Sequence, residues 1–256
     1  VTAISLASVP SGEKIETFYT TRSWYVYVTD GGHGGSNYPG VNQNNLNLIQ
    51  AVYTTEGAAA IKRSNNVVIV IGDADYGGSC GAVCELLQDQ STVIDTIYTT
   101  HAAFAAVTTA GSLLAWGNSA YGGDASNLPD VTTTSNGDFA IVAMASNYGA
   151  FACLLYNGKV LAWGATANGG TIPSAVASQI SVTGSGVLYL YASQHGFATV
   201  DSDYSVYSWY DHQVLESYET LAPTEVVAVY GGTLYAGLSN NGSTHSDIDI
   251  RVPTQS

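Results

Sequence analysis

Three cysteines are the residues best suited to covalent chemistry in this chain, and two of them stand close together. Cys80 and Cys84 form a C-x3-C pair within SCGAVC, and Cys153 stands alone. One short pair without a second pair or a nearby histidine is a poor zinc site. A small redox or metal pair and a local disulfide are both open; we favour the disulfide, with Cys153 as a buried free thiol. A disulfide indicates an oxidising compartment outside the cytoplasm.

The histidines and acidic residues offer less chemistry. The five histidines are scattered, and no Ser-His-Asp set or nucleophile elbow is visible, so we predict no catalytic residue. Acidic residues separated by one position occur at Asp73 and Asp75, Asp201 and Asp203, and Asp247 and Asp249. Calcium binding in turns is one interpretation, because calcium takes several oxygen ligands at once. Solvated turn carboxylates are the other, and we predict no metal site and no cofactor.

The charge balance excludes several partners. The 256 residues include 20 acids and only six Lys and Arg, a formal net charge of −14. With no basic patch to neutralise phosphates, nucleic-acid binding is excluded and anionic membrane surfaces are disfavoured. No apolar run approaches the length of about 18 residues that a membrane span needs, so we predict no membrane insertion. Charged residues make up 10% of the chain, and Tyr, Thr, Ser, Asn and Gly take their place.

Two features bear on processing and modification. The chain begins at Val1 rather than Met, which a mature, processed terminus or the omission of leading residues would each explain. Asn241-Gly242-Ser243 is an N-glycosylation sequon in a Gly/Asn turn, although one such triplet is expected by chance in a chain of this length. We predict glycosylation at Asn241 if the source is a eukaryote.

A segment of about 45 residues recurs along the chain. Each copy contains two β-branched or aromatic strands, a Gly/Asn turn, a third strand, and a loop with a double glycine. Repeats of this period and strand pattern are typical of propellers. We predict an all-β, propeller-like array of five to six blades in one domain, 1–256. Its parts are an N-terminal strand, 1–14, and repeats at about 15–48, 49–93, 94–139, 140–186, 187–224 and 225–256.

The repeat is followed by its glycine and tryptophan landmarks. Double glycines fall at Gly34-Gly35, Gly77-Gly78, Gly122-Gly123 and Gly169-Gly170. Third-strand aromatics fall at Trp116-Gly117, Trp163-Gly164 and Trp209, with Ile71 in the equivalent place earlier. Such glycines allow a positive φ and close backbone approach, and the tryptophans bury a large area. Residues repeated in every copy are therefore interpreted as architectural.

The two ends are incomplete repeats. The last repeat is short and lacks the Trp-Gly strand, whereas the leading segment is strand-like, and together they have the length of about one repeat. Either the N-terminal strand completes the last repeat of its own chain, or it crosses to the next subunit and builds a filament. The apolar residues that would mediate this assembly are Ile4, Leu6, Val9, Ile248, Ile250 and Val252.

The segment FAAVTTAGSLLAWGNSAYGG resembles the repeats of the regulator of chromosome condensation family. The resemblance extends from about Ile15 to Gly242, and it implies a β-propeller of four-stranded blades. The loops here read GNSAYGGD, GDADYGGS or GATANGGT instead of the family's Gly-Gln-Leu-Gly pattern, and the basic DNA-binding tail is absent. We therefore carry over the architecture alone, without nucleotide exchange or chromatin binding. The repeats in this chain resemble those of secreted or surface proteins more than those of the family's nuclear member.

These features predict a structural or interaction protein rather than an enzyme. We expect an extracellular or cell-surface subunit that associates with itself through its terminal strands and its Tyr/Ser/Thr/Asn surfaces, forming a filament or surface assembly. The alternative is a secreted propeller lectin or adhesin that binds glycans with the loops around GNSAYGG. Its candidate aromatics are Trp24, Tyr25, Tyr27, Tyr38, Tyr121, Tyr148, Tyr204, Tyr207, Tyr210 and Tyr218. Core and interface packing would equally explain them.

Overall fold

The chain is built almost entirely from short β-strands. A computed structural model describes residues 9–128, 140–180, 186–202, 206–210, 226–231, 235–239 and 244–245. Within these ranges there are eighteen strands, two short α-helices and a few 3-10 turns. The all-β prediction is confirmed.

The strands form six three-stranded antiparallel sheets, each made from consecutive strands. The first strands of the sheets are β1 (Ile15–Thr20), β4 (Ile49–Thr54), β7 (Ile94–Thr99), β10 (Ile141–Ser146), β13 (Val187–Ala192) and β16 (Val226–Gly231). The second strands are β2 (Tyr25–Thr29), β5 (Ala58–Arg63), β8 (Ala103–Thr108), β11 (Ala150–Leu155), β14 (Phe197–Asp201) and β17 (Tyr235–Ser239). The third strands are β3 (Gly34–Ser36), β6 (Val68–Gly72), β9 (Leu113–Gly117), β12 (Val160–Gly164), β15 (Val206–Trp209) and β18 (Thr244–His245).

The sheets fall into two compact units of three sheets each. One unit covers Val1–Ser119 and contains β1 to β9, and the other covers Ala120–Ser256 and contains β10 to β18. Each sheet lies within one of the predicted repeats. The prediction that 1–256 is a single domain stays a prediction.

The resemblance implies four-stranded blades, whereas the described sheets have three strands, and after two of them the chain forms a short helix. After β6 the chain forms a 3-10 turn, Gly81–Val83, and then α1 (Cys84–Gln88), the segment that the sequence offers as the best helical candidate. After β12 it forms α2 (Ser174–Ile180), whose Val176 and Ile180 are buried; the sequence analysis does not predict this helix. No helix in the described ranges is both long and apolar enough for a membrane span.

Three of the described sheets each contain a buried pair of closely packed aromatic rings. Phenylalanines of the second strands, which are fully buried, face tryptophans of the third strands. The ring centroids lie 5.1 Å apart for Phe104 and Trp116, 5.2 Å for Phe151 and Trp163, and 5.6 Å for Phe197 and Trp209. Stacked aromatics bury a large area and contribute about 0.5–1.5 kcal/mol beyond that burial. We call this arrangement, with the glycine described next, the Gly-Phe-Trp junction.

A glycine of the preceding repeat completes each junction. Gly77, Gly122 and Gly169 have φ values of +94°, +93° and +85°. A Cβ at these positions would lie 2.9, 2.6 and 2.9 Å from a ring carbon of Phe104, Phe151 and Phe197. Both the backbone conformation and the space therefore require glycine. The other predicted landmark glycines follow these residues or end the third strands: Gly78, Gly117, Gly123, Gly164 and Gly170.

The first junction is built differently. Ala59 pairs with Ile71 at the register position where the later sheets pair Phe with Trp. Trp24 fills the space, and its Nε1 donates to the carbonyl of Gly57 at 3.3 Å. The double glycine Gly34-Gly35, expected in a loop, instead lies in β3, and Gly35 pairs with the buried Tyr27. A side chain at Gly35 would collide with the Tyr27 ring, so the glycine here makes room for an aromatic residue within the sheet.

Candidate interaction surface

The outer edge of β6 presents unused backbone hydrogen-bonding groups. The hydrogen bonds between β6 and its partner β5 use one side of β6. At the two ends of the strand, Asp73 N donates to Gly57 O at 3.0 Å, and Arg63 N donates to Val67 O at 2.9 Å. Bonded pairs alternate along an antiparallel ladder. The N–H and C=O groups of Val68, Val70 and Gly72 therefore point away from β5. No described residue forms a hydrogen bond with them on that side.

The same geometry recurs at β9 and β12. Asn118 N donates to Ala102 O at 3.0 Å, and Ala165 N donates to Gly149 O at 2.8 Å, which fixes the same alternation in both sheets. The outward backbone groups belong to Leu113, Ala115, Gly117, Val160, Ala162 and Gly164. β6, β9 and β12 contain no charged residue and no proline, the usual protection of an edge strand. We call these three strands the open edges.

The outer edge of β3, in contrast, is closed by the chain itself. Ser36 N donates to Gln43 Oε1 at 3.0 Å, and Gln43 Nε2 donates to Ser36 O at 2.9 Å. Gly34 N also donates to Leu46 O, at 2.7 Å. A carboxamide offers the same donor and acceptor as a peptide group. The Gln43 side chain thus takes the place of a fourth strand.

The 3-10 turn Gln43–Asn45 positions this side chain. Asn42 precedes the turn in an extended conformation, and its side-chain oxygen accepts a hydrogen bond from Asn44 N at 3.1 Å. Asn residues favour such turns because their side chains bond to the backbone two residues on. The repeat pattern does not point to Gln43. Its only signal is an asparagine cap just before a glutamine, in a connector that otherwise reads as an ordinary polar loop.

A groove runs beside the edge of β6. One face of the strand, with Ile69 and Ile71, packs against Leu46 and the segment 38–41. The other face, with Val68 and Val70, packs against Val83, the disulfide and Leu87. The cavity between the segment 38–46 and β6 has a volume of about 400 Å³. None of its lining residues is charged, although the chain carries a net charge of −14.

The cysteines are placed where they support this region and the core. Cys80 and Cys84 are joined by a disulfide with a Cα–Cα distance of 5.0 Å, which closes the connector after β6. Cys153 is a free, fully buried thiol in β11. Burial raises the pKa of the Cys153 thiol to about 12. Because the thiolate is the reactive form, this cysteine is inert at neutral pH.

The acidic and histidine candidates are dispersed. Among the residues that the structure describes, no three His, Cys, Asp or Glu side chains are arranged to hold a metal ion. The Asp73 side chain caps a 3-10 turn by accepting from Asp75 N at 3.0 Å, and Asp201 is buried in β14. Asp203, Asp247 and Asp249 lie outside the described residues. His33 Nδ1 lies 2.8 Å from Glu13 on the surface. The prediction of no metal site and no cofactor stays a prediction.

Three aromatic rings cluster at the turns of the second unit. The ring of Tyr148 lies 6.0 Å from that of Tyr121 and 6.1 Å from that of His195, both edge-on. His195 is held by the Asn168 amide at 2.9 Å. Tyr148 is 43% exposed. Of the other predicted platform residues, Trp24 and Tyr27 are buried, and Tyr204 and Tyr218 lie outside the described residues.

Most of the predicted assembly residues cannot be placed. Ile4, Leu6, Ile248, Ile250, Val252 and the sequon residue Asn241 lie outside the described residues. Val9 is partly buried at the start of the described chain, beside Pro10 and Ile15. Their roles stay predictions.

Comparison with known proteins supports the architecture. No protein-family model matches the chain, and no curated protein matches it. Human WBSCR16 is 15% identical with a TM-score of 0.50, over 86% of this chain and 70% of that one. Prp20p of Saccharomyces cerevisiae is 17% identical with a TM-score of 0.50, over 83% of this chain and 59% of that one. The chain thus spans about three fifths of Prp20p, which is described for its binding to Gsp1p and histones.

At these identities the likeness concerns the fold alone. It agrees with the antiparallel sheets that repeat along the chain. Prp20p is the yeast regulator of chromosome condensation. The chain therefore has a β-propeller architecture like that of the regulator of chromosome condensation.

Proposed function

We propose that this protein is an extracellular, non-catalytic interaction protein whose copies associate by strand pairing into a filament or surface layer. The observation that supports this most directly is the set of open edges at β6, β9 and β12, which lack charge and proline. An extended segment added to such an edge gains main-chain hydrogen bonds, and side-chain pockets supply specificity. A contact between an edge and a different segment of the next copy propagates instead of closing.

The composition supports self-association and sets its salt dependence. Tyrosine, which is enriched in protein interfaces, occurs 18 times, and charged residues make up only 10% of the chain. Copies with a net charge of −14 repel each other, and salt screens this repulsion with a Debye length of about 8 Å at physiological ionic strength. Assembly should therefore strengthen as salt is added.

Two further observations support parts of the proposal. The Cys80–Cys84 disulfide favours an oxidising, extracytoplasmic compartment, because disulfides are rare in the cytosol. Prp20p, which shares the architecture, binds protein partners, namely Gsp1p and histones. Protein surfaces are accordingly the class of partner that we propose here.

Sedimentation velocity over a range of concentrations, with electron microscopy of the same samples, tests the proposal. We expect larger species, and fibres or sheets, as concentration and salt increase. The triple variant Val70→Pro, Ala115→Pro, Ala162→Pro removes one outward N–H group on each open edge, none of which the native ladders use, and should shift the protein toward monomer. The matched triple variant Val70→Ile, Ala115→Val, Ala162→Val keeps all three N–H groups and should assemble normally.

Circular dichroism would verify that the proline variants keep their sheets. If they do not, lysine at the same three positions serves instead, since a charge is a natural way to protect an edge strand. A wild-type protein that stays monomeric at high concentration and high salt would contradict the proposal.

The cluster of Tyr121, Tyr148 and His195 supports a second candidate, the secreted propeller lectin. Exposed aromatic rings stack on the apolar faces of sugars while their polar ends form hydrogen bonds. A glycan array with the wild-type protein should then give hits that the Tyr148→Ala variant loses and that Tyr156→Ala, an exposed tyrosine in another turn, retains. An array without hits would remove this candidate.

A further inference from the structure

The open edge of β6 lies between two other segments of the chain. The described residues flank it on both faces, with the segment 38–46 on one side and the disulfide-closed segment Cys80–Leu87 on the other. A flanked edge has room for one extended segment rather than for the edge of a whole sheet. We infer that β6 is the acceptor edge in the proposed assembly, and that its occupant is the segment 1–8 of a second copy. This inference rests on the proposed function.

Backbone geometry sets what the occupant must provide. The outward N–H and C=O groups of Val70, at the middle of the strand, need the complementary groups of an extended chain about 4.8 Å away. At about 3.3 Å per residue, eight residues span the five-residue strand β6 with some to spare. The closed edge at β3 illustrates the same pairing, because Gln43 supplies Ser36 with one donor and one acceptor.

Charge decides between the two candidate segments of the chain. A strand at this edge would present one row of side chains to Val41 and Leu46 and the opposite row to Val83 and Leu87. Both rows must therefore be uncharged, because burying an ionised side chain without a partner is costly. The segment 246–252, SDIDIRV, alternates apolar residues with Asp247, Asp249 and Arg251 and would bury charges. The segment 1–8, VTAISLAS, has no charged side chain.

The residue pattern of this segment also suits a groove that is narrow on one side. In an extended strand Ile4 and Leu6 fall in one row, whereas Ala3, Ser5 and Ala7 fall in the other. The larger row can fill the cavity of about 400 Å³ beside the segment 38–46, and the smaller row can face the disulfide. A one-residue shift of register would exchange the two rows, so the pattern specifies the pairing.

Photo-cross-linking between two isotopically distinct copies tests the inference. Unlabelled full-length protein carries p-benzoylphenylalanine in place of Leu6, and it is assembled with unmodified, ¹⁵N-labelled full-length protein. After irradiation, mass spectrometry should find the light residue 6 joined to heavy peptides from residues 38–46 or 68–72. Links confined to the light chain, links to β9 or β12, or assemblies without such links would each overturn the inference. An assembly with the wrong links leaves the proposed function standing, whereas the absence of any assembly removes the proposed function itself.

Two neighbouring asparagines give a matched pair of groove variants. Asn45 is exposed and lines the groove, whereas Asn44 is exposed but does not line it. Asn45→Asp should raise the concentration needed for assembly by about fivefold, because the segment would have to desolvate a carboxylate. Asn44→Asp, with the same change in net charge, should change it less than about twofold. Equal effects of the two variants would contradict the assignment of the groove.

Discussion

The junctions between sheets and the outer edges of the same sheets follow different rules. At three junctions the same residue types recur with nearly the same spacing: the ring centroids of the Phe-Trp pairs lie 5.1 to 5.6 Å apart. At the edges, the copies differ. β3 is closed by the Gln43 side chain, whereas β6, β9 and β12 are open among the described residues. The recurring junction residues therefore bear on stability, whereas the state of each outer edge bears on the proposed association.

The largest loss of stability should come from replacing a junction glycine. Gly77 and Gly12 have the same φ of +94°, but a Cβ at Gly77 would lie 2.9 Å from the Phe104 ring, whereas a Cβ at Gly12 would meet nothing within 4 Å. Gly77→Ala should lower the free energy of unfolding by about 3 kcal/mol, from backbone strain and overpacking together. Gly12→Ala, the control, should cost about 1 kcal/mol from strain alone. Urea denaturation gives both values.

The glycine variants should leave assembly unchanged. Below the denaturation midpoint, Gly77→Ala should assemble at the same concentration as the wild type, because no outer edge is altered. Equal losses of stability for the two variants would show that the Phe104 contact does not matter, and a loss of assembly by the folded Gly77→Ala variant would show that junction and edge are not independent.

A smaller difference in stability should separate variants of the two tryptophans Trp163 and Trp116. The Nε1 of Trp163 donates to Gly122 O at 3.0 Å, whereas the buried Nε1 of Trp116 has no partner among the described residues. Replacement by Phe creates a similar cavity in both, but only Trp163→Phe also leaves a buried carbonyl without its donor. Trp163→Phe should therefore cost about 1–2 kcal/mol more than Trp116→Phe. Thermal unfolding of the two variants measures this difference, and equal costs would indicate that the Trp163 hydrogen bond contributes nothing.

The sequence predicted the junctions better than the edges, for physical reasons. Double glycines and Trp-Gly pairs recur because every junction needs the same close approach, so self-comparison of the chain reveals Gly122 and Trp163. The buried phenylalanines Phe104, Phe151 and Phe197 occupy one repeat position too, but the second strand of the first junction carries Ala59 there, and the pattern is hidden by that departure. Trp24 compensates from an unrelated position, which no periodicity could indicate.

Whether an edge is open or closed could not be predicted, because it depends on contacts between residues whose positions do not recur in the repeat. Only the asparagine before it distinguishes the local sequence of Gln43, which closes β3, from that of Gln50, which is exposed on β4. The short helices after β6 and β12 were equally difficult, because α1 and α2 have five and seven residues and depend on tertiary contacts. The Cys80–Cys84 spacing was informative since a short pair allows few partners, whereas the groove that this pair flanks follows only from the three-dimensional packing.

Gln43→Leu should cause the smallest change in stability. It also tests directly whether an edge affects assembly separately from stability. It removes two hydrogen bonds to Ser36, of 3.0 and 2.9 Å, at a largely exposed site, and should lower the free energy of unfolding by about 1 kcal/mol. Because the variant exposes the N–H and C=O groups of Ser36 at this edge, it should assemble at a lower concentration than the wild type in sedimentation velocity. The control is Gln50→Leu, since Gln50 is also exposed and its equivalent in β13 is already a leucine, Leu188. If both variants increase assembly equally, added surface hydrophobicity is the cause; if only Gln43→Leu does, the side-chain amide protects the edge.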